Sequence, residues 1–130
     1  MKYTKEVVNI ADVQKTYAMV IGAVLVLLGL VGFVNNPVLG LFGVNIAQNL
    51  LHLVGGALIL WLAMKGSAKS TNMWVGIIAL VVGLLWYAEG FDGNLLNKIF
   101  GINAAISYLH IAVGIVSLGV AYGVKGEAAA

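Results

Sequence analysis

The feature that most constrains this chain is a run of 49 residues, from 16 to 64, that contains no Asp, Glu, Lys or Arg. As a single helix the run would be about 74 Å long, more than twice the roughly 30 Å thickness of a bilayer core. It must therefore fold back on itself. Two asparagines precede Pro37, the only proline, and Gly40 and Gly43 follow it. These turn-forming residues predict the reversal at this point.

The composition of the whole chain is typical of a membrane protein. Hydrophobic residues make up 62% of it, charged residues 9%, and the mean hydropathy is +1.02, values outside the range of soluble domains. Two further apolar stretches follow the first run, separated by the polar segment EGFDGNLLNK. We therefore predict an all-α membrane protein with four transmembrane helices. The predicted segments are an N-terminal tail or interfacial helix at 1–15, a two-helix repeat at 16–64, a loop at 65–72, a second two-helix repeat at 73–124 and a tail at 125–130.

The seven lysines indicate how the spans are oriented. Six of them fall on the side of both termini and the 65–72 loop, and only Lys98 falls on the other. Because positively charged residues accumulate in cytoplasmic loops, both termini are predicted to be cytoplasmic. The basic pI of 9.0 has the same origin, so we interpret it as an orientation signal and expect no nucleic-acid partner.

One phrase occurs twice in the sequence. Residues 42–52 read FGVNIAQNLLH and residues 100–110 read FGINAAISYLH, an offset of 58 positions that needs no gap. Each copy belongs to a unit of two spans, an even number, so both units enter the membrane in the same direction. The sequence thus predicts a tandem duplicated helical hairpin whose halves are related by a pseudo-two-fold axis along the membrane normal.

Each copy of the phrase carries a polar stripe at helical spacing. The stripes are Asn45, Asn49, His52 and Gly56 in the first copy, and Asn103, Ser107, His110 and Gly114 in the second. Steps of four, three and four residues keep such a stripe within roughly 60° of one helix face. Because polar groups are costly against lipid, we expect both stripes to turn inward and meet across the axis. The first asparagine of each stripe stands where a helix begins and is expected to be its N-cap.

The two histidines are the candidate functional residues, and several interpretations of them are open. A neutral imidazole that is hydrogen-bonded across the bundle needs no ligand. His52 and His110 could instead be paired axial ligands of a haem or chlorophyll-type tetrapyrrole, with Gly56 and Gly114 clearing space for its flat ring. The same glycines would equally permit close helix contact. A metal site and a proton or substrate path are the remaining interpretations.

Glu89 is a further candidate metal ligand. It is placed near the outer end of the third span, close to the expected level of the histidines, and its counterpart in the first repeat is Val31. Two histidines and one carboxylate form a ligand set that transition metals accept. The alternative is an interfacial carboxylate that pairs with Lys98.

These motifs resemble those of the small prokaryotic four-span membrane proteins grouped as the domain of unknown function 4383 family. The resemblance rests on FGVN...NLLHL..G at the end of the first hairpin and FGIN...YLHI..G at the end of the second, and it covers about residues 15–124. Ser107 departs from the family pattern, which has Asn or Asp before the second histidine. The resemblance implies the four-helix fold and a bacterial or archaeal plasma membrane, and it implies no activity.

No catalytic constellation is present in the sequence, which has no Cys, no Arg and no phosphate-binding glycine loop of the strand-to-helix kind. We therefore expect a non-enzymatic accessory or scaffolding subunit that contacts the lipid bilayer and either other membrane proteins or copies of itself. The alternative is a tetrapyrrole-binding protein that uses His52 and His110. An ion or small-molecule path is favoured less, because the polar stripes stop near the middle of the membrane.

Single cysteines test the predicted orientation, since the chain has none of its own. We expect Asn36→Cys and Asn94→Cys to react with a membrane-impermeant maleimide added to intact cells. Ser67→Cys should react only after the cells are permeabilised, because its loop is predicted to be cytoplasmic. The reverse labelling pattern would contradict the argument from the lysines.

Overall fold

The computed structural model of the chain describes residues 2–88 and 95–124, with side chains described from residue 13 onward in the first helix. This part contains five helices, which are α1 Lys2–Val34, α2 Ile46–Met64, α3 Ala68–Ala88, α4 Leu95–Phe100 and α5 Ala104–Gly123. Four stretches are long and apolar enough to cross a membrane, namely Val13–Val34 within α1 and the whole of α2, α3 and α5. The predicted all-α fold with four spans is confirmed.

The ends of two helices differ from the prediction. Residues before the first span do not form a separate element, because α1 is one helix about 50 Å long that extends beyond the roughly 30 Å bilayer core. The loop expected at 65–72 is shorter, and α3 already begins at Ala68. Gly66 turns the chain with a φ of 88°, and the backbone N–H of Thr71 donates to the carbonyl of Ser67 at 2.9 Å. The predicted loop is longer because Lys65 and Lys69 bound the apolar stretches of the sequence. A lysine limits the apolar part of a helix but does not end the helix itself.

Close helix contacts hold each hairpin together, with α1 packed along α2 and α3 packed along α5. Glycines make this possible. A Cβ added to Gly56 would lie 2.6 Å from the carbonyl oxygen of Gly22, and one added to Gly114 would lie 2.7 Å from the backbone nitrogen of Leu80. Small residues at such contacts are typical of transmembrane helix pairs, since dispersion between closely approaching backbones replaces the missing hydrophobic drive.

Residues that are 58 positions apart meet each other at three depths of the bundle. The pairs are Gly43 with Gly101 in the loops, His52 with His110 further along α2 and α5, and Gln14 with Asn72 near the opposite end. Equivalent residues of two repeats can touch only where the symmetry axis passes between them. The three pairs therefore trace a pseudo-two-fold axis along the length of the bundle, and the predicted duplicated hairpin is confirmed.

Two apolar clusters fill the bundle on either side of the histidine level. The cluster at the loop end has Val38, Val44, Trp86, Ile102 and Ile106 as its buried members. The cluster near the opposite end has Ala18, Ile59, Ala63 and Ala68. Val44 of the first cluster precedes α2, and Ile59 and Ala63 of the second cluster are part of it. His52 therefore lies between the two clusters along the chain.

Two neighbouring glycines of α2 test the packing of the first hairpin. A Cβ added at Gly55 meets nothing within 4 Å, whereas one added at Gly56 meets the backbone of α1. We expect Gly56→Ala to lower the free energy of unfolding by about 1–3 kcal/mol, because α1 must move away. Gly55→Ala should leave it unchanged or raise it by up to about 1 kcal/mol, because Ala is the better helix former.

Reversible unfolding of the detergent-solubilised protein by sodium dodecyl sulfate measures both free energies. Equal effects of the two substitutions would contradict the close contact between α1 and α2.

Candidate functional site

Asn45 and Asn103 are the N-caps of α2 and α5, which confirms the role expected from their positions. The Oδ1 atom of Asn45 accepts a hydrogen bond from the backbone N–H of Gln48 at 3.0 Å. The Oδ1 atom of Asn103 accepts one from the backbone N–H of Ile106 at 3.1 Å. Each side chain thus satisfies a donor that the first turn of a helix leaves without an intrahelical partner.

The same two side chains also join the repeats to each other. The Nδ2 atom of Asn45 donates to the carbonyl of Ile99 at 2.7 Å, and the Nδ2 atom of Asn103 donates to the carbonyl of Leu41 at 2.9 Å. Leu41 and Ile99 are themselves 58 positions apart, so the two hydrogen bonds are equivalent under the pseudo-two-fold axis. We call this set of four residues, Asn45, Ile99, Asn103 and Leu41, the asparagine clasp.

Gln48 strengthens the junction from one side only. Its Nε2 atom donates to the carbonyl of Gly43 at 3.0 Å and to that of Phe100 at 2.9 Å, one in each repeat. Its counterpart is the apolar Ile106, so this link breaks the symmetry of the clasp. Backbone carbonyls of both loops are thereby satisfied by protein side chains, as a low-dielectric environment requires.

The structure brings the two histidines together at the axis. The ring centres of His52 and His110 are 6.2 Å apart and the ring planes are inclined at 65°, an edge-on arrangement. The Nδ1 atom of each ring is buried, and neither has a hydrogen-bond partner among the described side chains and backbone of residues 13–88 and 95–124. A direct hydrogen bond across the bundle, expected if the histidines only pack, is therefore not made by either Nδ1 atom within this part of the chain.

Three further residues of the stripes, Asn49, Gly56 and Gly114, face their own hairpins. Asn49 is only 2% exposed and lies against Gly32 of α1, where a Cβ would overlap its side chain. Gly56 and Gly114 are covered by the backbones of α1 and α3. The space that these glycines leave is thus used for close helix contact, the second of the two interpretations given above. A stripe roughly 60° wide can border two neighbouring helices at once, so its residues divide between them.

Ser107, the remaining member of the stripes, is fully buried. Its Oγ atom has no hydrogen-bond partner in the described residues. Its backbone carbonyl oxygen would lie 3.0 Å from a Cβ added to Gly83 of α3. The residue therefore sits in the contact between α5 and α3, close along the helix to His110.

A second polar layer, near the opposite end of the bundle, was not anticipated from the sequence. Asn72 donates through Nδ2 to the Oε1 atom of Gln14 at 2.9 Å, and Gln14 donates through Nε2 to the carbonyl of Val120 at 2.8 Å. The hydroxyl groups of Tyr17 and Ser117 are 2.6 Å apart. The available signal was the offset of 58 between these two amide side chains.

The proposed metal ligand Glu89 lies outside the described residues, so its position relative to the histidines is not part of this structure. Among the side chains that the structure describes, in residues 13–88 and 95–124, no group of three or more His, Cys, Asp or Glu is arranged to hold a metal ion. Any ion at the described site would therefore depend on the two imidazoles.

Comparison with known proteins gives no match to a protein-family model, to a curated protein or to a solved structure. The resemblance to the domain of unknown function 4383 family stays a prediction.

Two substitutions at Asn103 isolate its hydrogen bond to Leu41 in the opposite repeat. Asn103→Ala removes the cap, the hydrogen bond to Leu41 and one that Oδ1 accepts from the backbone N–H of Gly43 at 3.0 Å, and we expect it to lower the free energy of unfolding by about 1–3 kcal/mol. Asn103→Asp keeps an oxygen that accepts from Ile106 and Gly43 but cannot donate to Leu41, so the loss that remains in this variant is that of the hydrogen bond to Leu41. Unfolding by sodium dodecyl sulfate in detergent micelles measures the difference.

Asn35→Ala is the matched control for these variants. The Asn35 side chain accepts an exposed hydrogen bond from the N–H of Leu39 within a single loop, so its loss should cost less. Equal losses for Asn35→Ala and Asn103→Ala would show that the clasp does not stabilise the bundle.

Proposed function

We propose that the protein is a non-enzymatic accessory or scaffolding subunit in a bacterial or archaeal plasma membrane, where it assembles with copies of itself or with other membrane proteins. The observation that carries this proposal is how the repeated polar residues are used. Asn45 and Asn103 each satisfy one helix start and one carbonyl of the opposite loop. Their chemistry is therefore that of a structural joint, which needs no substrate to explain it.

The lateral surface supports an assembly role. All four spans present large apolar side chains that are half-exposed or more, including Leu27 at 60%, Val54 at 65%, Ile78 at 59% and Ile115 at 60%. In a bilayer these side chains contact lipid or a neighbouring helix. The connection between α2 and α3 has only three residues, 65–67, so it offers little surface to a partner. The lateral faces of the two helices are the larger contact area.

Two glycines of α5 favour self-association in particular. Gly119 and Gly123 are four residues apart and exposed, and a Cβ at either position would meet nothing within 4 Å. Gly76 and Gly114, in contrast, are filled by the facing helix of their hairpin. A small-xxx-small pair on an open helix face lets a second helix approach closely, as in transmembrane helix dimers.

The proposed orientation places the end with residues 65–67 in the cytoplasm. The Nζ atom of Lys65 lies 4.5 Å from the ring centre of Trp61. Tryptophan and lysine at a helix end are typical of the membrane–water interface. Together with the lysine distribution, this contact supports an interfacial position for this end of α2, and the resemblance in the two repeated motifs supports a prokaryotic membrane.

Tetrapyrrole binding is the second candidate function, and the histidine geometry favours it. Two imidazoles that bind one metal atom from opposite sides have ring centres about 6 Å apart, because each metal–nitrogen bond is about 2 Å long. The spacing of 6.2 Å between His52 and His110 is close to this value. Against it stands the packing of α1 and α3 over Gly56 and Gly114, which takes up the space expected for the flat ring.

Native mass spectrometry of the protein in lipid nanodiscs, together with its visible spectrum, tests the proposal. We expect a colourless oligomer that Gly119→Leu with Gly123→Leu converts to monomer, because the added side chains keep a second helix away. Gly55→Leu is the matched control, since Gly55 also faces open space but has no glycine four residues away.

A colourless monomer in native membranes, with no membrane protein cross-linked to it, would overturn the scaffolding proposal. A Soret-type band that is lost in the double variant His52→Leu, His110→Leu would replace it with the tetrapyrrole function.

A further inference from the structure

The Nδ1 atoms of the histidines are among the polar features that the scaffolding role leaves unexplained. Both are buried and lack a hydrogen-bond partner in the described part of the chain, as do the Oδ1 atom of Asn49 and the Oγ atom of Ser107 one turn away. A buried polar atom without a partner is destabilising, typically by about 1–3 kcal/mol. The two nitrogen atoms belong to equivalent residues whose rings meet at one axis, so both can share a single bound group.

The distance between the rings indicates what that group can be. If two imidazoles bind one ion in a line, their ring centres are about 6 Å apart, whereas tetrahedral binding brings them to about 5 Å, with metal–nitrogen bonds of about 2 Å in both cases. The ring centres of His52 and His110 are 6.2 Å apart. The spacing of the ring centres is therefore compatible with one ion that has a nitrogen ligand on each side.

The two imidazoles are neutral ligands, and the polar residues one turn before them on the same helices are also neutral. These residues are Asn49 and Ser107, both buried. The cost of burying an ion in a medium of low dielectric constant rises with its charge, so neutral ligands favour a monovalent cation over a divalent one.

We propose that His52 and His110 bind one Cu(I) ion between their Nδ1 atoms, on the pseudo-two-fold axis. Cu(I) is a monovalent d10 ion that accepts two-coordinate linear geometry, and imidazole is among the ligands that bind copper. A single ion of this size fits between two rings whose centres are 6.2 Å apart. It would also link α2 to α5, so it adds a further junction between the hairpins, at a level between the asparagine clasp and the layer of Gln14 and Asn72.

Anaerobic titration of the full chain in mild detergent tests the site. Cu(I) is supplied from a chromophoric chelator, and we expect one ion per chain to be withdrawn from it. His52→Gln and His110→Gln should each reduce this transfer at least tenfold. Met64→Leu is the control, because a thioether is also a Cu(I) ligand and Met64 is exposed; it should bind Cu(I) like the unchanged protein.

X-ray absorption of the copper-loaded, unsubstituted protein keeps the proposal testable even if a variant does not fold. We expect two nitrogen neighbours at about 2 Å and no sulfur. The proposal is overturned by a sulfur neighbour, by absence of transfer from the chelator, or by Zn(II) displacing Cu(I) at equal concentration. It is equally overturned if the double variant His52→Gln, His110→Gln keeps one ion per chain, which would be adventitious binding. None of these outcomes bears on the oligomeric state, so this proposal and the scaffolding proposal can fail separately.

Discussion

The asparagine clasp is the interaction on which the arrangement of the two hairpins depends. Where a chain reverses between two apolar helices, the first N–H groups of the second helix and the carbonyls of the loop have no hydrogen-bond partner within a helix. Each such group, if it stays without a partner away from water, destabilises the folded protein by several kcal/mol. Asn45 and Asn103 satisfy both kinds of group, each in its own helix start and in the opposite loop. The residues that allow each reversal therefore also fix one repeat against the other.

Within and between the hairpins, different interactions provide the stability. Inside each hairpin, glycines such as Gly56 and Gly114 let two backbones approach to van der Waals contact over most of their length. Between the hairpins, direct contacts include the axial pairs, among them the amides of Gln14 and Asn72. The histidines lie at this junction, where each repeat contributes one imidazole close to the axis.

The sequence was sufficient for the number of spans and the duplication, because charge-free length and a gapless offset of 58 are properties of the chain alone. The sequence did not predict α4, because most of Leu95–Phe100 belongs to the polar segment between the last two spans. In the structure the Nδ2 atom of Asn97 donates to the carbonyl of Ile102 at 2.9 Å and supports this short helix. Nor could the sequence assign Asn49 to its own hairpin, because helical spacing identifies a face but not which of two adjacent helices covers that face. The amide pair Gln14 and Asn72 was missed because each stands among other polar residues near one end of a span, so its position alone does not distinguish it from them.

Solid-state NMR of the protein in lipid bilayers, with only histidine isotopically labelled, tests the pseudo-two-fold axis most directly. The chain has two histidines, so the spectrum contains one ring system for His52 and one for His110. The ring centres are 6.2 Å apart in the structure, and the account predicts a cross-peak between the two rings that persists when labelled protein is diluted with unlabelled protein. Absence of the cross-peak, or its loss on dilution, would show that the two repeats do not meet across an axis within one chain.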